Sequence, residues 1–242
     1  HGTARPPDIV HRTAFIMGTM AEIKVPVERG MSRQEIETAI DNAFNEMRRI
    51  EGIFSVYRAD SEISAINALQ AGQALKVSEE TIQLIKKSVE LSRATGGAFD
   101  ITVKPLVELW ATAKAGGLFP SESEVRRTLE RVGYRHIIID DQAKSIAFDR
   151  GGITLDMGGV AKGYATDRAM QQLSRSGIAA AIVKLGGNTY CRGGRSEHHA
   201  WRVGIRHPRR KDEMFLELEL RDAAIDTAGD YEKYFVSGGK RY

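Results

Sequence analysis

The sequence is poor in cysteine, in net charge and in long apolar runs. Its 242 residues contain one cysteine, Cys191, which excludes an internal disulfide framework and a zinc site built from cysteines. The formal net charge is only +3, from 35 Lys and Arg against 32 Asp and Glu, so the composition gives no reason to expect a nucleic-acid or anionic-membrane partner. We find no stretch that could form a transmembrane helix and no apolar signal segment at the start.

The residues that are present indicate an ordinary globular protein with one or two domains. Hydrophobic residues make up 42% of the chain and charged residues 28%, the balance of a soluble globular protein. One local exception is the basic run from His207 to Lys211. It is interpreted either as a solvated turn between strands or as a docking patch for an acidic partner, because Pro and clustered charge disfavour burial.

The pattern of caps, glycine stops and apolar periodicity predicts an α+β fold. Helices are expected to begin near residues 32, 78, 121 and 160. Strands, or a hairpin for the first of them, are expected over residues 14–27, 136–140, 145–149, 152–156, 179–184, 201–205, 214–220 and 223–227. This order predicts mixed helices and mainly antiparallel strands, with a loose lead-in over residues 1–13 and one domain over residues 14–242.

The most informative segment runs from Ile153 to Ala165. A β run ends at Asp156, a glycine pair turns the chain, and a helix begins at once. The positive end of a new helix favours phosphate, Lys162 is placed to reach the same anion, and Asp156 is placed to accept hydrogen bonds from a base or hydroxyl. The spacing is not that of a Walker A loop, and the turn also has a purely architectural interpretation.

Other glycine and aromatic positions each allow two interpretations. The segment Thr95–Asp100 predicts either a helix end followed by a strand, or a backbone and carboxylate that clasp a ring or sugar. Met17 suits packing on an aromatic ligand or an ordinary core, and Tyr57 suits stacking on a ligand or a place at the edge of the core. Two further glycine turns serve either a site or a simple reversal of the chain: Leu185–Asn188 and Ile225–Tyr231.

Taken in order, these segments resemble the ApbE family of flavin transferases. The resemblance rests on Met-Gly-Thr at 17–19, Phe-Ser-Val-Tyr-Arg-Ala-Asp-Ser-Glu-Ile-Ser-Ala-Ile-Asn at 54–67 and Thr-Gly-Gly-Ala-Phe-Asp at 95–100. It continues with Leu-Asp-Met-Gly-Gly-Val-Ala-Lys-Gly-Tyr-Ala at 155–165, Leu-Gly-Gly-Asn at 185–188 and Thr-Ala-Gly-Asp-Tyr at 227–231. Each motif is weak alone, but several in one order from about Ala14 to Tyr242 make a chance match very improbable.

The resemblance implies an enzyme that binds FAD in a cleft between two lobes and uses Mg²⁺. Attack by a Thr or Ser hydroxyl of an acceptor flavoprotein on the FMN-side phosphorus would attach FMN to that protein and release AMP. The backbone carbonyl of Gly159 is implied as a Mg²⁺ ligand. The residues implied to line the FAD site are Met17, Tyr57, Ala98, Phe99, Asp100, Asp156 and Lys162.

The resemblance also implies elements that these 242 residues do not include. In the family, Gly-Lys-Arg-Tyr at 239–242 is followed by a His-x-Ile-Asp-Pro element with the proposed general base, and later by an Asp and a Thr that hold Mg²⁺. One carbonyl alone would not retain Mg²⁺, which requires several oxygen ligands. Two explanations are open: a chain that continues further, or a member that binds flavin without transferring it.

Four functions follow as hypotheses. The first is FMN transfer to an acceptor flavoprotein, for example a subunit of an electron-transport complex, at the periplasmic or cell-envelope side and with a lipid anchor in some full-length forms. The second is flavin binding without transfer. The third is an FAD pyrophosphatase that gives FMN and AMP, since water can replace the acceptor hydroxyl. The fourth is an α+β interaction protein whose glycine turns are purely structural.

Overall fold

The computed structural model describes residues 8–27, 30–116, 119–196, 198–210 and 212–229, and the backbone alone at 236–237 and 240–241. The chain divides into two compact units. One, here called the split unit, comprises His1–Glu51 and Lys162–Tyr242; the other, the continuous unit, comprises Gly52–Ala161. Asp230 and Tyr231 of the predicted glycine turn lie outside the described residues, and so do Gly239 and Tyr242 of the last predicted motif.

Helices and antiparallel strands alternate along the chain, so the predicted α+β class is confirmed. The helices are α1 Arg33–Phe54, α2 Glu62–Asn67, α3 Glu79–Ala94, α4 Lys104–Gly116, α5 Glu122–Leu129 and α6 Ala161–Arg175, with a 3-10 turn at Tyr134–His136. The strands are β1 Ile9–Ile16, β2 Thr19–Pro26, β3 Ala74–Lys76, β4 Ile137–Asp140, β5 Ser145–Phe148, β6 Ala181–Leu185, β7 Asn188–Arg192, β8 Trp201–Arg206, β9 Met214–Leu220, β10 Ala223–Ile225, β11 Val236–Ser237 and β12 Lys240–Arg241. No helix in the described part of the chain has the length and apolar character to cross a membrane.

The split unit is built on a five-stranded antiparallel sheet in the order β1-β2-β6-β7-β10. Along β2, Ala21, Ile23 and Val25 are buried, whereas the alternating Glu22 and Lys24 are only half-buried. Side chains of a strand alternate between the two faces of its sheet, so one face is the core face and the other is polar and partly open. The hairpin β8–β9 forms a separate two-stranded sheet.

The helices of the split unit carry the apolar faces that their sequences predict. The residues of α1 that recur at helical spacing are all at most 3% exposed: Ile36, Ile40, Phe44, Met47 and Ile50. The Nε atom of Arg168 on α6 lies 3.1 Å from Glu46 Oε1 on α1, and this partly buried ion pair fixes the two helices side by side. Gly177 ends α6 with a φ of 84°, which is the left-handed conformation expected of a glycine after a helix.

The first hairpin has a tight turn at a predicted site residue. Met17 and Gly18 have φ values of 52° and 69°, the pattern of a type I′ turn, which matches the twist of a β-hairpin. The Met17 N–H donates to Glu51 Oε1 at 3.0 Å, which anchors the turn to the end of α1. The strand β1 begins at Ile9, within the segment 1–13 that the sequence predicts as a lead-in.

The continuous unit contains helices α2 to α5 and a three-stranded sheet in the order β3-β5-β4. Ser78 and Ser121 cap α3 and α5 through their hydroxyl groups, as their sequence signatures predict. The predicted strand over residues 152–156 is wrong: Gly152 lies in a turn with a φ of 81°, and the residues after it join no ladder. The backbone partners of this segment are a side chain and a single carbonyl from separate segments, as described below, rather than a neighbouring strand.

Candidate functional site

Two of the predicted site segments lie against each other in the continuous unit. A Cβ atom placed on Gly159 would lie 3.0 Å from Cε2 of Phe99, so the phenyl ring rests directly on the Gly159 backbone. The N–H of Phe99 is held by Thr95 Oγ1 at 3.1 Å. Glycine is therefore needed at Gly159 because any side chain would displace the ring. This contact brings the turn at 95–100 and the turn at 156–159 into one surface.

Asp156 shapes the glycine turn with part of its carboxylate. Its Oδ1 accepts a hydrogen bond from the Gly158 N–H at 2.7 Å, and its own N–H donates to the Ile101 carbonyl at 2.7 Å. The side chain is half-buried, and Oδ2 accepts no hydrogen bond from the described residues. One oxygen thus forms the turn, and the other is available to a ligand.

Asn67 helps to position Asp156 by binding the backbone of the preceding residue, Leu155. The sequence alone did not predict this role. The Asn67 Nδ2 donates to the Leu155 carbonyl at 2.9 Å, and its Oδ1 accepts from the Leu155 N–H at 2.6 Å. Leu155 is completely buried. The side-chain amide therefore replaces the strand that this segment lacks. The available signal was an amide residue at the end of the short helix α2, directly after buried Ile66.

Asn67→Ala is expected to destabilise the protein by about 2–3 kcal/mol, because it leaves two buried backbone groups of Leu155 without a partner. Thermal unfolding measures the effect. Asn42→Ala, at an exposed position of α1, is the matched control and should leave the melting temperature nearly unchanged. Equal melting temperatures for the two variants would contradict this role of Asn67.

The carboxylate of Asp100 is committed to structure in the continuous unit. Its Oδ1 accepts from the N–H of Thr102 at 2.8 Å and from the hydroxyl of Thr102 at 2.7 Å, while Oδ2 accepts from the Tyr134 N–H at 2.8 Å. Thr102 is fully buried, and its hydroxyl also accepts from the Gly133 N–H at 2.7 Å. The predicted strand after Thr95 is absent; turns lead directly into α4. Any ligand contact at Asp100 therefore shares a carboxylate that already accepts three hydrogen bonds.

Tyr57 and Ala98 are both exposed to solvent in the continuous unit. The side chain of Tyr57 is 96% exposed, which is unusual for an aromatic residue in a loop and rules out its interpretation as part of the core. Ala98 is also exposed, one residue before the Phe99 ring. An exposed ring and an exposed small residue beside a glycine turn are suited to a planar ligand.

The two remaining predicted residues, Met17 and Lys162, belong to the split unit. Met17 is half-buried in its left-handed turn, a conformation that costs a side chain of this kind some free energy. Lys162 is the second residue of α6, and the next residue, Gly163, approaches Asn188, where an added Cβ would lie 3.3 Å from Oδ1. The α6 start therefore packs on the glycine turn that opens β7.

The start of α6 supplies less free backbone than the sequence suggests. The N–H groups of Val160 and Ala161 both donate to the Met157 carbonyl, at 3.0 and 2.7 Å. They are therefore used within the turn and are not free to bind a phosphate. The positive end of the helix dipole and the ammonium group of Lys162, which also has another interaction partner, place positive charge at this end of the helix.

The described residues do not by themselves fit a magnesium site. Among them, no group of three or more His, Cys, Asp and Glu side chains is arranged to hold a metal ion. The Gly159 carbonyl would be a single oxygen ligand, and Mg²⁺ requires near-octahedral coordination by several. Nor is there a thiol nucleophile: Cys191 is buried, and burial raises its pKa to about 11, so it stays protonated at neutral pH.

Comparison with known proteins links this arrangement to one family. The ApbE family model matches residues 17–242. The FAD:protein FMN transferase of Vibrio cholerae is 30% identical over 245 residues, covering 100% of this chain and 72% of that protein. A FAD:protein FMN transferase of Klebsiella pneumoniae is 29% identical and covers 85% of this chain. The chain spans only 64% of the length of that relative.

Solved structures agree with the sequence comparison. The crystal structure of the ApbE protein from Thermotoga maritima matches with a TM-score of 0.86 and 33% identity, over 97% of this chain and 75% of that one. The apo form of the Pseudomonas stutzeri flavinyl transferase ApbE matches with a TM-score of 0.84 and 26% identity, over 100% of this chain and 74% of that one. The family model, the relatives and the shared fold together show that this chain belongs to the ApbE family.

Proposed function

We propose that this protein transfers FMN from FAD to a Thr or Ser hydroxyl of an acceptor flavoprotein. The names of its relatives support the transfer of FMN from FAD to a protein. The observation that carries the proposal is the surface made by Phe99 on Gly159, beside the open Oδ2 atom of Asp156. A planar ring that carries N–H donors suits such a surface, since it offers an aromatic neighbour, close backbone approach and one carboxylate oxygen that can accept a hydrogen bond.

In the proposed reaction the acceptor oxygen forms a bond to the FMN-side phosphorus. The bond from that phosphorus to the bridging oxygen breaks, AMP leaves with the bridging oxygen, and the hydroxyl proton passes to a base. Phosphoryl transfer needs held groups and neutralised charge more than covalent help from the enzyme. Tyr57 would stack on the flavin, Asp156 would accept a hydrogen bond from it, and Lys162 would offset the phosphate charge.

Magnesium belongs to this proposal through the family resemblance. A bound Mg²⁺, with the Gly159 carbonyl as one implied ligand, would supply positive charge that offsets the charge of the phosphates. The Gly159 carbonyl is the one ligand that the resemblance assigns among the described residues. The roles given above to Tyr57, Asp156 and Lys162 therefore do not depend on Mg²⁺. The acceptor is proposed to be a subunit of an electron-transport complex, and the location to be the periplasm or cell envelope, with a lipid anchor in the full-length protein.

Incubation with FAD, Mg²⁺ and a soluble acceptor flavoprotein domain is expected to give a fluorescent adduct that survives denaturing electrophoresis. Mass spectrometry should show FMN added to one Thr or Ser, and chromatography should show AMP in equal amount. An acceptor with that residue changed to Ala is the control and should stay unlabelled.

The other hypotheses give different results in the same assay. Release of free FMN and AMP without labelling of any acceptor would identify a pyrophosphatase instead. Intact FAD recovered after long incubation with Mg²⁺ would identify a flavin-binding protein. Failure of FAD to raise the melting temperature would leave only an interaction protein.

A further inference from the structure

A groove of about 290 Å³ lies on the open face of the five-stranded sheet, entirely within the split unit. One wall consists of side chains that share this face: Lys184 lies opposite Glu22 in the register of β6 and β2. The other wall is β8, from Arg202 to Arg206. None of these residues is assigned to the proposed FAD site, and the groove also reaches the two glycine turns at Gly187 and Thr227.

The strand β8 lines this groove along its edge. Five consecutive residues, 202–206, contact the groove, although the side chains of a strand alternate between its two faces. On one side β8 pairs with β9, and on the other it pairs with no strand of the described chain. Within the described residues, the N–H and C=O groups that point away from β9 have no ladder partner, so an extended segment could pair with them.

The charge of the groove is positive. Lys24, Lys184, Arg202 and Arg206 line it, against one carboxylate, Glu22. Lys24 forms an ion pair with Glu22 at 2.6 Å, Arg202 hydrogen-bonds Glu217, and Arg206 also has an interaction partner, so recognition of an anionic ligand would depend on the fourth cation. Lys184 is exposed and forms no ion pair with the described residues.

The pKa of Glu22 reflects the positive charges around it. Partial burial acts to raise the pKa of Glu22, but its hydrogen bond and ion pair with Lys24 prevail and lower it. The charge of Lys184 lowers the pKa of Glu22 further. The turn that follows β8 is exposed at Arg209 and Arg210, and Arg210 forms an ion pair with Glu213 at 2.9 Å within the same turn. The predicted solvated turn between strands is thereby confirmed for the described residues of that run.

The end of this face nearest the Met17 turn is apolar. Phe15 and Met20 lie opposite each other in the β1–β2 register, and they are 72% and 52% exposed. The two-residue period of β2 places Met20 on the same face as Glu22 and Lys24. Two large apolar side chains paired in solvent indicate a surface for interaction.

We propose that this groove binds an acidic, extended segment of the acceptor protein. The segment would pair with the open edge of β8, place carboxylates near Lys184, and pack an apolar side chain on Phe15 and Met20 beside the Met17 turn. The inference rests on the proposed function, because that function requires a protein substrate. Charge complementarity and continuity with Met17 favour this occupant over an uncharged one.

The test measures binding of short fluorescein-labelled peptides by fluorescence anisotropy, without flavin. Each peptide carries one threonine surrounded by apolar residues and by either aspartates or asparagines. The aspartate peptide should bind about tenfold more tightly, and high salt should weaken it. Lys184→Glu should weaken its binding about tenfold, and Lys184→Gln, which adds no carboxylate beside Glu22, about threefold.

Lys76→Glu, an exposed lysine on β3 in the continuous unit, is the matched control for net charge and should bind like the wild type. Equal binding of the aspartate and asparagine peptides would overturn the proposal. Equal losses for Lys184→Glu and Lys76→Glu, or equally tight binding of single-stranded DNA, would also overturn it. FAD affinity, measured separately, should be the same in all these variants. If the wild-type protein does not bind FAD, the proposed function is refuted, and the peptide measurements alone then test whether the groove binds an acidic segment.

Discussion

Lys162→Met is expected to lower the rate of FMN transfer about 100- to 1,000-fold, because it removes the cation proposed to offset the phosphate charge as the bond to AMP breaks. The same change should leave the melting temperature nearly unchanged. Lys162 is in the first turn of α6, which contains no acidic residue, and a cation there opposes the helix dipole. Its removal should relieve up to about 1 kcal/mol of this unfavourable interaction, which offsets the loss of the other interaction that Lys162 makes. A loss of activity without a loss of stability is the signature of a residue retained for a ligand.

Two variants complete this test by initial-rate kinetics and thermal unfolding. Lys162→Arg keeps the charge with a different geometry and should retain part of the activity. Lys76→Met, at an exposed position of β3, should retain all of it. The role of Lys162 is refuted if Lys162→Met transfers FMN at the wild-type rate, and a large fall in melting temperature would show a structural role instead.

Gly187→Ala is expected to destabilise the split unit by about 2–4 kcal/mol. A Cβ at Gly187 would lie 2.3 Å from the Thr227 carbonyl oxygen and 3.1 Å from Asp226 Oδ1. The obstacle is backbone, which cannot turn aside as a flexible side chain can. The Thr227 N–H also donates to the Gly187 carbonyl at 3.2 Å, so the clash separates two segments that are held together.

Chemical denaturation measures this loss, and Gly52→Ala provides its control. Gly52 lies inside α1, and an added Cβ meets no atom within 4 Å. Because alanine favours a helix more than glycine does, this control should gain about 0.5–1 kcal/mol. Opposite signs for the same chemical change would show that close approach, rather than loss of glycine itself, makes Gly187 necessary. Equal effects would argue against it.

Periodicity and caps predicted most of the helices and strands, because these signals are local. The capping box at Ser121–Glu124 forms as its sequence indicates, and the apolar face of α1 is buried. The prediction of a strand over residues 152–156 was wrong because alternating apolar residues indicate a strand without identifying its partner. Its partner is Asn67, which is 88 residues away from Leu155 in the chain. Local patterns carry no information about a contact of that range.

The candidate site was predictable as a set of segments but not as a set of roles. Asp100 and Asp156 are both carboxylates beside glycine turns, and the sequence treats them alike. The structure separates them: Asp100 accepts three hydrogen bonds from its own unit, whereas Asp156 spends one oxygen on Gly158. Met17 gives the reverse case. Its left-handed φ of 52° would suit glycine or asparagine better, so the turn alone does not explain the methionine, and its contact with a ligand stays a prediction.

The burial of Cys191 makes the protein a convenient host for site-directed labelling. A protonated, inaccessible sulfur reacts slowly with maleimides, and the sequence has no other thiol. A cysteine introduced at an exposed position such as Tyr57 would then be the single fast-reacting group in the molecule. Its protection by added nucleotides would report occupancy of one chosen point without removal of any native residue in the core.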